Sequence, residues 1–186
     1  IFSTILVTKS KQDAFKFANK VLTLLIIVSS VVTGIGMLCA YKLVPLIYRH
    51  QAQLQLAIFL SKIMMPFIIF VSISAIVMGM LNSLHHFLFP ALAPFFSNIC
   101  FILIVTFTHK KYGIKSLAFG ILMSGIFYFM VQLPSILRRK FRFKFNFKFK
   151  DENVKRFLKS FFPIAFGMAV FQLNMLISIR FSSPFQ

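Results

Sequence analysis

Acidic residues are nearly missing from this 186-residue chain, which has three Asp and Glu against 21 Lys and Arg. Charged residues make up 13% of the chain, about half their usual share in a soluble domain, whereas 59% of the residues are hydrophobic. A disordered basic tail is excluded because such tails contain few apolar residues. A soluble domain of this length cannot enclose so much apolar surface, so the composition indicates an integral membrane protein.

Chemical motifs of enzymes are also missing. No glycine-rich phosphate loop, HExxH or GxSxG pattern occurs, and Asp13, Asp151 and Glu152 all lie outside the long apolar runs. General acid–base catalysis by carboxylates, or a proton relay across the membrane, has few groups to use. We therefore expect a protein that is not an enzyme and that needs no cofactor.

Cysteine and histidine do not form a metal-binding pattern in the sequence. Cys39 and Cys100 both lie inside apolar runs without a CxxC motif, which favours small buried apolar side chains over a disulfide or a metal pair. His85 and His86 have no Cys, Asp or Glu nearby in sequence, so a surface turn is expected there and no metal site. The start at Ile1, without a signal-peptide pattern, favours a piece of a longer protein.

Long apolar runs without charge or histidine occur five times, at residues 21–41, 63–84, 87–108, 116–137 and 160–179. Each run has about 20–22 residues and extends roughly 30–33 Å as a helix, which matches the hydrocarbon core of a bilayer. None alternates apolar with polar residues as the strands of a membrane barrel do. The sequence thus predicts an all-α integral membrane fold with about five transmembrane helices.

Lysine and arginine are divided unequally between the two ends of these spans. The N-terminal stretch and the link between the fourth and fifth spans carry 14 of them, against seven on the other side. Cytoplasmic segments are the richer in Lys and Arg. We therefore expect a cytoplasmic link and the end of a preceding helix at 1–20, a basic cytoplasmic link at 138–159, and a tail at 180–186.

Phenylalanine alternates with Lys, Arg or Asn along Lys140–Lys150, which reads KFRFKFNFKFK. In an extended chain this period of two places every Phe on one face and the cations on the other. The pattern favours an extended link on the membrane surface, with a specific lipid-phosphate contact as the next reading. Nucleic-acid binding and an aggregation-prone edge stay as lesser alternatives, and no nucleic-acid partner is expected between two spans. The acids at 151–152 then predict a helix start.

Uncharged polar residues are sparse inside the spans. Asn98, Gln172 and Asn174 are the costliest of them to leave facing lipid, so we expect them to face neighbouring helices or a wet cavity. Hydrogen bonding between helices is the ordinary role of such a residue, and contact with a substrate is the more specific one.

Two blocks of sequence resemble the MurJ (MviN) family of lipid II flippases. The first runs from Lys62 to Ile102 and contains MMPF, then LNS before a short turn, then FLFPALAPFFSN. The second consists of VQLP at the end of a span, a basic link, and FFPIAFGMAVFQLNMLIS. The resemblance covers nearly the whole chain, and its most specific part is PALAP followed by Asn98.

The resemblance implies a fourteen-helix exporter fold in two lobes, of which this chain is similar to the end of helix two through helix seven. It implies alternating access that moves a lipid-linked peptidoglycan precursor across the bacterial inner membrane, with membrane lipids as the other partner. Asn98, Gln172 and Asn174 are then candidates for the cavity. The family's essential arginines lie outside the matching region, and Ser178 stands where some members have an acidic sodium ligand.

Two other functions stay open at this point. One is a related exporter of drugs or polyprenyl-linked sugars, against which the PALAP block argues. The other is a non-functional membrane fragment of a split gene.

Membrane insertion and orientation have a direct test. We expect the chain to sediment with membranes on ultracentrifugation, and a tag inserted in the KFRFKF stretch to react only with cytoplasmic reagents, because cations stay inside. Recovery of the chain in the supernatant, or labelling of that tag from the periplasm, would contradict the five-span arrangement.

Overall fold

A computed structural model describes residues 1–47 and 53–182. Every regular element in those ranges is a helix and none is a strand, as the sequence predicts. The helices are α1 (Phe2–Thr8), α2 (Lys11–Ile47), α3 (Leu54–Met64), α4 (Phe67–Ser83), α5 (Leu88–Tyr112), α6 (Lys115–Arg138) and α7 (Glu152–Ser182).

Five helical stretches within the described residues are long and apolar enough to cross a membrane, which confirms the predicted number. They are Lys11–Pro45, Leu54–Ser83, Leu88–Tyr112, Lys115–Arg138 and Glu152–Met175. The second stretch is α3 followed by α4, with Pro66 between them. Pro66 has no N–H to donate, and Ile68 and Ile69 donate to the carbonyls of Met65 and Pro66 at 3.1 Å, three residues back. The break is therefore one tight turn inside a single span.

Helices α2 and α7 extend well beyond the apolar runs from which they were predicted. A charged residue ends an apolar run but does not end a helix, since long cationic side chains reach to the polar layer. Helix α7 begins at Glu152, where the N–H of Asn153 donates to the carboxylate of Asp151 at 2.9 Å. The acids therefore stabilise the helix start as predicted, and the non-helical part of the basic link is confined to 139–151.

The connection from α4 to α5 is the tight turn that the sequence predicts. His85 adopts a left-handed backbone conformation with φ of 59°, and the N–H of His86 donates to the carbonyl of Leu81 at 2.9 Å. In the part of the chain that the structure describes, no group of three or more His, Cys, Asp or Glu is placed to hold a metal ion.

Residues Phe2–Phe147 form one compact unit, and a second unit begins at Lys148 and contains α7. Within the first unit α5 and α6 pack along each other, and both α2 and α6 pack on α4. The α5–α6 pair is antiparallel. The Ser97 hydroxyl donates to the carbonyl of Ser124 at 3.0 Å, and Phe101, later on α5, faces Gly120, earlier on α6. Small residues at this contact let the two backbones approach closely.

The buried core of this unit lies at one end, where α2 begins and α4 and α6 end. Its members are Ala18, Leu22, Val77, Met80, Leu81, Ile136 and Phe141. Many large apolar side chains along the helices, such as Leu38 and Phe107, are exposed, as expected for surfaces that face lipid. Cys39 and Cys100 have free thiols and are half-buried, so they are less enclosed than the sequence predicted.

Glycine is required at one contact between α4 and α6. A Cβ added to Gly125 would lie 2.5 Å from Cδ2 of Phe67, whereas a Cβ at Gly79 meets nothing within 4 Å. We expect Gly125→Ala to destabilise the chain by about 1–3 kcal/mol through overpacking. The measurement is the thermal unfolding midpoint in detergent, with Gly79→Ala as the matched control. Equal midpoints for the two variants would show that this close approach is not needed.

Candidate functional site

The structure places the three predicted cavity residues on exposed surfaces. Asn98 lies on α5 directly after the buried Ser97, and Gln172 and Asn174 lie on α7. Gln172 and Asn174 are two residues apart on a helix, which corresponds to a rotation of about 200°, so they point to opposite sides of α7. A cavity on one side of α7 therefore receives one of these side chains and not the other. Their contact with a substrate stays a prediction.

Gln132 on α6 is the large polar side chain that the fold encloses. It is 0% exposed, and neither its Oε1 nor its Nε2 has a hydrogen-bond partner. Ser74 on α4 is also 0% exposed, and its hydroxyl has no partner either. Buried polar groups without partners are costly, about 1–3 kcal/mol each. Among the described residues, the Oγ1 of Thr33 is the other buried side-chain polar atom without a partner.

Gln132 and Ser74 lie at the same height in the bundle. Connectivity makes α4 and α6 parallel, and Gly125 of α6 lies against Phe67 of α4. Seven residues further along each helix, about two turns, come Gln132 and Ser74. The sequence does contain a signal for this face, because Ala118, Gly125 and Gln132 recur every seven residues and all three are buried. The cost of facing lipid instead favoured Asn98, Gln172 and Asn174, and so Gln132 was not predicted as the enclosed polar residue.

The basic link is extended, as the alternation predicts, and side chains of α2 hold its backbone in place. The Nδ2 of Asn19 donates to the carbonyl of Arg142 at 3.2 Å, and the N–H of Lys144 donates to Oδ1 of Asn19 at 3.3 Å. The N–H of Asn146 donates to Oγ1 of Thr23 at 3.1 Å. We call residues 141–147 the pinned link.

Asn19 does for the pinned link what a neighbouring strand does in a sheet. In an extended chain the backbone N–H and C=O groups of alternate residues point in the same direction. Here the backbone groups of Arg142, Lys144 and Asn146 point toward α2. The amide of Asn19 offers one donor and one acceptor, and so it pairs with both a C=O and an N–H. Thr23 lies one helical turn further on and is anchored by its own hydroxyl, which donates to the carbonyl of Asn19 at 2.7 Å.

Phenylalanine and cations occupy opposite sides of the pinned link. Phe141 is buried in the core, and Phe143, Phe145 and Phe147 follow it as a ladder of aromatic contacts with centroids 4.9 and 6.3 Å apart. Arg142 and Lys144 are exposed between them. The arrangement presents an apolar edge and a positively charged edge at the end of the bundle where the core lies.

Removal of the Asn19 amide is expected to release the pinned link. Asn19→Ala removes two hydrogen bonds to a segment that belongs to no helix or sheet. Trypsin should therefore cleave after Arg142 and Lys144 several-fold faster. Limited proteolysis of the purified chain, followed by mass spectrometry, measures this rate. Asn98→Ala, which removes an exposed amide, is the control and should leave the rate unchanged. Equal cleavage of the two variants would show that these hydrogen bonds do not hold the link.

Comparison with known proteins gives a family for the whole chain. The family model described as lipid II flippase MurJ matches residues 1–186. The lipid II flippase MurJ of Burkholderia cenocepacia is 31% identical over 134 residues, which is 69% of this chain and 26% of that protein. The probable lipid II flippase MurJ of Buchnera aphidicola subsp. Baizongia pistaciae is 30% identical over 173 residues, 90% of this chain and 34% of that protein.

A third relative, the probable lipid II flippase MurJ of Rickettsia prowazekii, is 29% identical over 180 residues, 94% of this chain and 35% of that protein. The chain therefore spans about a third or less of the length of these curated relatives. Since the family model matches the chain from its first residue to its last, this five-span membrane protein belongs to the MurJ family of lipid II flippases.

Proposed function

We propose that this chain is one part of a lipid II flippase of the bacterial inner membrane, and that the flippase moves the lipid-linked peptidoglycan precursor outward by alternating access. The observation that carries the proposal is the family match over residues 1–186, together with five helices able to span a membrane. The activity is transport and not bond-making catalysis. The pinned link and the start of α2 lie on the cytoplasmic side, in accordance with the excess of Lys and Arg there.

The bundle supplies a rigid wall for such a transporter. Close packing through Ser97 and Gly120 holds α5 against α6. The substrate's pyrophosphate–sugar head needs hydrogen-bonding groups during its passage, while its polyprenyl tail stays in lipid. Asn98, Gln172 and Asn174 are exposed amides, and Asn98 together with whichever of Gln172 and Asn174 faces the cavity would provide donors and acceptors without the cost of a buried charge.

A related exporter of drugs or polyprenyl-linked sugars is the second candidate, and a non-functional membrane fragment is the third. The PALAP block ending at Asn98 favours the flippase over the other exporter. If the purified 186-residue chain alone moved labelled lipid II across liposomes, the fragment hypothesis would be removed.

Complementation tests the proposed function. The full reading frame that encodes this chain should restore growth to a bacterium depleted of its own flippase, because the precursor again reaches the outer surface. Continued lysis, with the protein present in the membrane fraction, would contradict the proposal.

The same depletion strain tests the three amides. The combined change Asn98→Ala, Gln172→Ala and Asn174→Ala should lower the rate of lipid II flipping about tenfold or more, which corresponds to roughly 1.4 kcal/mol of lost substrate contacts. Asn82→Ala, at an exposed position near the α4–α5 turn, is the control. An unchanged flipping rate in the triple variant would remove these residues from the cavity.

A further inference from the structure

An apolar groove lies under the pinned link at the end of the bundle where the core is found. Every side chain that lines it is Leu, Ile, Val or Phe, and no polar side chain contributes. Its walls include Leu22 and Ile26 of α2, Ile73 and Val77 of α4, Leu133 of α6 and Phe141 of the link. We call this the link groove.

The link groove has the size and chemistry of a site for hydrocarbon. Its volume is about 170 Å³. Apolar cavities of about 150 Å³ lined by Leu, Ile and Phe stay dry and accept benzene, so this volume takes roughly six carbons of a chain. Phe143 and Leu137 line the groove and are 41% and 56% exposed, so its mouth is open at the surface. A hydrocarbon chain therefore has a route into it.

The link that covers the groove carries cations on its other face. Arg142 directly follows Phe141 and Lys144 directly follows Phe143, and both are exposed on the side of the link away from the groove. Arg138 is exposed directly after Leu137 of the groove. No acidic residue occurs between 138 and 150 to offset these charges. A tailed occupant whose polar end lies at the level of the link is therefore close to a segment of net positive charge.

The hydrogen bonds of Asn19 favour this arrangement of the link. They hold the backbone of Arg142 and Lys144 and leave both cationic side chains available. Because the backbone is fixed, Phe141 and Phe143 stay over the groove while the cations stay on the opposite face.

We propose that the link groove binds one anionic glycerophospholipid of the adjacent leaflet. One acyl chain enters the groove next to its headgroup, and the lipid phosphate contacts Arg142 and Lys144. The first carbons of an acyl chain match the apolar groove, and a lipid phosphate matches the positive charge of the link. The lipid then acts as a fixed part of the bundle and holds the link against the membrane.

Photolabelling tests the site directly on the purified chain. The chain is placed in phosphatidylcholine vesicles with a minor fraction of phosphatidylglycerol that carries a photoreactive group near the carboxyl end of one acyl chain. After irradiation, mass spectrometry should find the label in peptides that contain Leu22–Ile26 and Leu133–Leu137. The equivalent phosphatidylcholine probe should label these peptides at least about tenfold less, because its headgroup carries no net charge.

Two variants separate the headgroup contact from the acyl-chain contact. Arg142→Gln with Lys144→Gln keeps the backbone hydrogen bonds and should reduce phosphatidylglycerol labelling about tenfold or more. Lys110→Gln with Lys111→Gln, at the other end of the bundle, should leave it unchanged. Ile26→Phe fills the groove and should abolish labelling, whereas Ile27→Phe, an exposed neighbour, should not. Each variant is compared at an equal thermal unfolding midpoint, so that loss of folding is not mistaken for loss of the site.

Several results would overturn the proposal. Equal labelling by the two lipid probes, or no effect of the Arg142 and Lys144 changes, would remove the anionic headgroup contact. Stronger competition by a polyprenyl phosphate than by phosphatidylglycerol would assign the groove to the transported substrate. Loss of labelling in the protein encoded by the full reading frame would show that another segment covers the groove. Photolabelling tests the lipid site and complementation tests the flippase function, so either proposal can be wrong while the other holds.

Discussion

The cost of an unpaired backbone N–H or C=O group in hydrocarbon is the constraint on which this structure depends. Inside the spans, helices satisfy these groups, and the break at Pro66 is closed within one turn by bonds three residues back. Residues 139–151 are not helical, so the backbone N–H and C=O groups of this link need other hydrogen-bond partners. Asn19 and Thr23 provide such partners by pairing with alternate backbone groups of the link.

Close approach of small residues, rather than burial of large ones, holds the spans together. Lipid tails are as apolar as leucine, so there is little hydrophobic gain in bringing two apolar helices together. Contacts therefore concentrate where Gly120 and Gly125 admit aromatic rings from α5 and α4, and where Ser97 reaches the backbone of α6. Among the described residues, the buried core cluster lies at the end of the bundle where the link folds back, and Phe141 contributes a ring to it from outside the helices.

Family membership gives a context for the polar groups. The buried Gln132 and Ser74 lie between α4 and α6 without partners, and an apolar pair of the same shape would be cheaper. The exposed Asn98 lies on another face of the same unit. This chain spans about a third of the length of these relatives.

The number and type of the spans were determined by sequence alone, because a run of about twenty uncharged apolar residues has only the helix as a stable form in lipid. The alternation in KFRFKFNFKFK likewise determined an extended link, since only a period of two separates its rings from its cations. The acids at 151–152 did predict the start of α7, but the start of α2 was beyond the sequence, because Lys20 ends an apolar run without ending the helix that begins at Lys11. Tertiary structure alone decided that Asn19 pairs with Arg142 and Lys144, and that Gln132 rather than Asn98 is enclosed. Those contacts join residues far apart in the chain, and which face of a helix meets its neighbour depends on packing that local pattern does not encode.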